Sequence, residues 1–175
     1  MESEIVRIKV QPLTPEAFEP YGVALQQGKH VIFPEVDEGG RVALELMSIK
    51  HRMEQIHQLN LHFSYRQAFI PIRGTMILMV APPPRNRDGG REGYDFDYDK
   101  TAAFYFEPGQ AADVARGVWH TLFNLGGTPG QETLFVNVTR KHPGEGAEHS
   151  AQIADDVAWY DTLKRDNKVL QLALI

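Results

Sequence analysis

The chain contains no cysteine, and that absence alone removes thiol nucleophiles, disulfides and cysteine-ligated metals. It also lacks a cationic excess: 18 Lys and Arg stand against 23 Asp and Glu, a formal net charge of -5. Nucleic acid and anionic membrane both require a cationic surface, so neither is expected as a partner. No apolar run approaches the roughly 20 residues needed to cross a bilayer. The opening residues, MESEIVRIKV, alternate charged and apolar types and carry neither an apolar signal core nor a small-residue cleavage site. A cytoplasmic location is the expectation.

What is present is an ordinary globular composition, with 42% apolar and 23% charged residues. At 175 residues the chain suits one domain, able to bury roughly two-thirds of its unfolded surface. That domain is expected to span 1–175, with a core at about 41–140 and a C-terminal helix and tail over 150–175.

Short strands dominate the pattern. Glu4 to Val10 alternates with period two. In the following turn Thr14 is placed to cap a short helix with Pro15 at its first position. Gln26 to Gly40 reads as a loop, and Arg41 to His51 as an imperfectly alternating strand. Gln55–Phe63, Gln67–Ile72 and Thr75–Ala81 read as barrel strands, with Arg73-Gly74 as a tight turn. Pro82, Pro83 and Pro84 end the run, because proline cannot donate to a ladder. The charged, glycine-rich stretch Arg85 to Asp99 is too long for a hairpin and reads as a flexible loop or a lid over a pocket. Strands resume at Ala102–Phe106, Ala111–Val114, Val118–Asn124 and Glu132–Thr139. In the tail, Ala154–Lys164 reads as an amphipathic helix and Val169–Ile175 as an edge strand or packing arm. Many short strands with turns between them indicate an all-β sandwich or barrel.

Two stretches have spacings that carry chemistry. Asn60-x-His62 is followed by Gln67 and Gly74; Gly109 is followed by Ala115-x-Gly117, His120 and Asn124. These spacings resemble the two cupin motifs, which normally read His-x-His, Glu, Gly and then Gly, Pro-x-Gly, His, Asn. The expected fold is therefore a cupin-type double-stranded β-helix, a jelly-roll barrel with short peripheral helices. Residues i and i+2 of a strand share a face, so Asn60 and His62 should point together. With Gln67 on the adjacent strand and His120 on the facing one, four side chains can define an interior site for a metal or a small polar ligand.

His62 and His120 are the candidate catalytic residues, and His62, His120 and Gln67 the candidate metal ligands. The site lacks the usual carboxylate, and amides are weak ligands for first-row divalent ions. The cofactor expectation is accordingly a divalent ion (nickel, manganese or zinc) or none. Arg116 is suited to clamp a carboxylate by bidentate hydrogen bonding, and Gln67, Asn60 and Arg66 are further candidates for substrate binding. Tyr65 reads as a surface side chain on a turn. Trp119, alternating with His120, should face away into a core or a dimer interface. His142 reads as part of a turn. Glu45 and Glu54 are the nearby upstream acids, and no role is assigned to His30, His51 or His149.

Pro12-Leu-Thr-Pro-Glu-Ala-Phe-Glu-Pro-Tyr-Gly22, Gln67-Ala-Phe-Ile-Pro-Ile-Arg-Gly74 and Arg116-Gly-Val-Trp-His120 resemble the ureidoglycolate lyase family, over about residues 8 to 140. The resemblance implies a homodimeric carbon–nitrogen lyase of allantoin and purine breakdown. Such an enzyme releases glyoxylate and urea from a small carboxylic-acid substrate, in some members with metal stimulation. It implies Arg116 on the substrate carboxylate and His120 or His62 taking the hydroxyl proton. The chain departs from the family pattern at Asn60, Leu61, Val114, Ala115, Thr121, Leu122 and Thr139. Two alternatives follow from those departures: a cupin of changed specificity acting on another small carboxylic acid, or a metabolite-binding cupin without turnover.

Overall fold

The computed structural model describes residues 2–28, 41–49, 55–86, 90–124, 132–141 and 156–173. Most of the expected 26–40 loop lies outside these ranges, as do Glu54, His30, His51, His142 and His149. The elements in chain order are β1 (Glu4–Pro12), α1 (Pro15–Phe18), β2 (Gly22–Leu25), β3 (Arg41–Ile49), β4 (Gln55–Ile56), β5 (Gln58–His62), β6 (Gln67–Arg73) and β7 (Met76–Ala81). They continue with β8 (Ala102–Phe106), β9 (Ala111–Val114), β10 (Trp119–Asn124), β11 (Thr133–Lys141), β12 (Val157–Asp161), α2 (Thr162–Asp166) and β13 (Lys168–Ala173). The cap on α1 is as the sequence predicts: Thr14 is extended, its side chain accepts from Ala17 N at 3.2 Å, and Pro15 follows.

Two sheets form the cupin jelly roll. One runs β12-β5-β10-β7-β8-β1-β13-β4 and the other β2-β9-β6-β11-β3. The central strand β7, Met-Ile-Leu-Met-Val-Ala, is buried at every position, which explains a continuous apolar run in place of alternation. Met76, Leu78 and Val80 join the core that holds Phe69, Phe104, Phe106 and Phe135. Ile77, Met79 and Ala81 join a second core with Leu59, Leu61, Trp119 and Tyr160. The larger sheet is thus covered on both faces, one by the smaller sheet and the other by a peripheral layer.

Three expectations are corrected. The segment Arg85–Asp99 is no lid over the histidine site where it is described. Tyr94 and Phe96 are buried in the second core, and Phe96 packs on Trp119 and Tyr160 with centroids 6.4 and 5.1 Å away. Residues 157–161, expected as helix, form β12, which pairs antiparallel with β5; only 162–166 are helical. Backbone pairing and burial of Val157, Ala158 and Tyr160 outweigh a weak helical periodicity. The apolar tail is not an edge: β13 lies between β1, its parallel partner, and β4. That pairing extends the core beyond residues 41–140.

Candidate active site

The site forms between the two sheets. Asn60 and His62 on β5 alternate with Leu59 and Leu61, which enter the peripheral core, so the polar pair faces the opposite side. β10 is hydrogen-bonded to β5, with His120 directly opposite Asn60. Gln67 is on β6 of the other sheet. The expected placement is therefore exchanged: His120 is on the adjacent strand and Gln67 on the facing one. Trp119 points the other way, fully buried in the peripheral core, as its alternation with His120 predicts.

A cavity of about 300 Å³ is lined by Met47, Asn60, His62, Gln67, Phe69, His120, Thr121, Leu122, Phe135 and Asn137. The two imidazole centroids are 5.2 Å apart. His62 and His120 are both buried, at 5% and 3% exposure. Burial pushes His62 down to about 2, with His120 and Arg140 adding to the shift and Gln67 opposing it. Burial also lowers His120 to about 4, against the opposing effect of the Val118 carbonyl. Both imidazoles are accordingly neutral at neutral pH and available to accept a proton.

Each histidine is held by named partners. Tyr65 Oη meets His62 Nδ1 at 2.7 Å and its ring stacks on the imidazole at 4.4 Å. Asn60 Nδ2 donates to His62 Nε2 at 3.3 Å. His120 Nε2 meets Gln67 Oε1 at 2.8 Å, and its Nδ1 meets the Val118 carbonyl at 3.0 Å. Gln67 Nε2 donates to Asn137 Oδ1 at 2.9 Å, and Asn137 Nδ2 donates to Glu45 Oε2 at 3.0 Å. A second buried group backs His62: Arg140 donates to Ser64 Oγ, pairs with Asp156 at 2.9 Å and lies over the Tyr65 ring.

Of the residues named from sequence, Asn60, His62, Gln67 and His120 come together. Arg66 and Arg116 are not among the residues lining the cavity. Arg66 donates through Nε to buried Asp113 at 2.6 Å, and the turn bearing Arg116 is tied back by Ala115 N to Tyr21 O and Gly117 N to His62 O. Tyr65, expected at the surface, is buried at 7% exposure. Asn137 was missed. Its signal is a polar residue at an inward position of Thr133-Leu-Phe-Val-Asn-Val-Thr139, in phase with Phe135.

The donor set does not fit a divalent ion. Among the described residues the two imidazoles are accompanied at the site by amides and no carboxylate lines the cavity, and both Nε2 atoms are already hydrogen-bonded to those amides. Among the described residues there is no group of three or more His, Asp or Glu arranged to hold one. The arrangement suits proton transfer on a small polar ligand.

The sequence profile of the ureidoglycolate lyase family matches residues 30–157. The chain is 29% identical over 161 residues to the ureidoglycolate lyase of Chelativorans sp. (strain BNC1), covering 81% of this chain and 90% of that protein. It is 27% identical over 159 residues to ureidoglycolate lyase 2 of Rhizobium meliloti (strain 1021), covering 80% and 90%. With the ureidoglycolate lyase of Rhodobacter capsulatus it shares 28% over 156 residues, covering 79% and 89%. Among solved structures, oxalate decarboxylase from Bacillus subtilis is similar at a TM-score of 0.37 and 15% identity, over 62% of this chain and 28% of that one.

Proposed function

Because the chain belongs to the ureidoglycolate lyase family, we propose that it cleaves ureidoglycolate to glyoxylate and urea. The observation that carries this reading is the pair of buried, neutral imidazoles sharing one cavity with amide donors. The reaction needs a base at the substrate hydroxyl and an acid at the departing nitrogen. His62, whose Nε2 accepts from Asn60, takes the hydroxyl proton. The carbon–oxygen double bond of glyoxylate forms as the carbon–nitrogen bond breaks, and the electron pair leaves on urea nitrogen. His120, protonated once the substrate is bound, supplies from Nε2 the proton that nitrogen receives and returns to its neutral form. Bound substrate carboxylate raises the proton affinity of both rings and brings them toward the working range.

With Arg66 and Arg116 outside the cavity lining, carboxylate recognition falls to the Asn60 amide. No step passes through a metal. A carbon–nitrogen lyase of this kind belongs to allantoin and purine breakdown, as the resemblance of the chain to its family implies, and we propose a cytoplasmic location.

We also propose a homodimer, with a second copy of the chain packed on the outer face of the smaller sheet. Val42, Leu44 and Leu46 alternate along its edge strand β3, and Ile70 and Ile72 on β6 share that outer face. All five are exposed, Leu44 at 72% and Leu46 at 67%. An apolar patch of this kind on a sheet edge suits a protein partner.

The test of the activity is glyoxylate release from ureidoglycolate by the purified protein and by His120→Ala. The expected result is turnover by the wild type and a fall of about 10²–10⁴-fold in kcat/KM for the variant, the range for loss of a general acid or base. A folded His120→Ala protein with wild-type turnover overturns the reading.

A further inference from the structure

We infer that Glu45, which does not line the cavity, is a positioning residue that places a proton on His120 Nε2 through two intervening amides. The chain of contacts has a direction. A carboxylate can only accept hydrogen bonds, so Asn137 must turn its Nδ2 to Glu45 Oε2 (3.0 Å). That leaves Asn137 Oδ1 to accept from Gln67 Nε2 (2.9 Å). Gln67 then has only its oxygen to present to His120 Nε2, 2.8 Å away. An oxygen and a nitrogen lone pair cannot face each other at that distance without cost, so this contact favours hydrogen on Nε2, at the expense of leaving the Nδ1 lone pair 3.0 Å from the Val118 carbonyl.

Without the carboxylate, local contacts favour the other nitrogen. His120 Nδ1 lies 3.0 Å from the Val118 carbonyl, which can only accept. A neutral ring responding to Val118 alone would hold its proton on Nδ1 and leave Nε2 bare. The amides could satisfy a bare Nε2 only by both inverting, and inversion turns the Asn137 oxygen toward Glu45. The carboxylate forbids that arrangement. Asn137 and His120 are both buried, at 3% exposure each.

Gln67 occupies the position at which the cupin motif normally carries glutamate. The negative charge is still present in this site, moved two amides away to β3. Glu45 therefore keeps hydrogen on His120 Nε2, the atom that faces the departing nitrogen once substrate displaces Gln67, while the adjacent His62 presents Nε2 as an acceptor, in the resting site to Asn60. The consequence for turnover rests on the proposed reaction; the position of the proton does not.

The test reads ring tautomers directly, by long-range ¹H–¹⁵N correlation of the histidines in ¹⁵N-labelled full-length protein at neutral pH. The His120 signals are identified by their loss in His120→Asn. The wild type is expected to carry hydrogen on Nε2. In Glu45→Gln the new side chain can donate, both amides can invert, and the proton is expected on Nδ1, paired with Val118. Asn137→Leu breaks the same chain at a different link and is expected to give the same shift, which keeps the test decisive if Glu45→Gln does not fold. Adding Gln67→Glu to Glu45→Gln sets a carboxylate against the ring and should return hydrogen to Nε2. In turnover, Glu45→Gln should lower kcat by roughly 10- to 100-fold with KM little changed, as for loss of proton transfer without loss of binding. A wild-type His120 protonated on Nδ1 alone, or a tautomer unchanged in Glu45→Gln and Asn137→Leu, overturns the inference. If the tautomer switches as expected while the wild type makes no glyoxylate, the relay stands and the proposed reaction fails.

Discussion

The Tyr65 ring lies 4.4 Å from that of His62, tilted by 27°, and its hydroxyl reaches Nδ1 at 2.7 Å. Burial pushes the phenol up to about 12, with the Thr139 hydroxyl acting in the opposite sense, so Tyr65 stays protonated. Tyr65→Phe should keep the stacking and strand Nδ1 in a dry site. The expected loss of stability is about 1–3 kcal/mol, the cost of one buried unsatisfied group, read by urea unfolding, together with a fall in kcat. The two histidines also set a pH dependence of stability. Their native values, about 2 and about 4, lie below the unfolded value near 6.5, so the unfolded chain binds more protons as pH falls. Their contribution is intact above about pH 6.5 and is lost on the way down to about 4 for His120 and lower for His62. In that window each histidine steepens the loss by up to about 1.4 kcal/mol per pH unit. Thermal midpoints measured between pH 7 and 4 should fall steeply in the wild type, and less steeply in His120→Gln, which removes one of the two titrating groups.

Among the elements, β2 depends most visibly on a single residue. Gly22 has φ of +156°, and a Cβ at that position would come within 2.0 Å of the Asp113 carbonyl oxygen on β9, its pairing partner. Backbone cannot yield as a flexible side chain does, so Gly22→Ala should part β2 from β9 and cost about 2–4 kcal/mol, in the upper range for single substitutions. Hydrogen exchange at Val23 and Leu25 would report the loss before global unfolding. A Gly22→Ala protein with wild-type exchange there would mean that β9 shifts without penalty. The same element view explains why 157–161 escaped the helical reading. A five-residue segment beside an exposed β5 edge gains backbone pairing from 60 and its neighbours, and sequence periodicity over so short a window carries little weight against that gain.

At the scale of the whole molecule, the apolar outer face of β3 and β6 points to self-association. Light scattering of the purified protein should give twice the 19.8 kDa chain mass, and Leu44→Lys with Leu46→Lys should shift it toward one chain mass without unfolding. A monomeric wild type would sink the dimer. The motif spacings and the strand alternation determined the barrel, the two histidines at its site and the outward turn of Trp119, because side-chain direction along a strand follows from parity alone. They determined neither which strands are neighbours nor which polar groups are covered. Tertiary pairing decided that β10 joins β5 in one sheet while Gln67 faces them from the other. Closure of the barrel decided that Tyr65, Asn137 and Glu45 serve the histidines, and that Arg66 is bound to Asp113 instead. Those relations join residues 3 to 92 positions apart in the chain, and only the packed structure brings such distant donors and acceptors within hydrogen-bonding range.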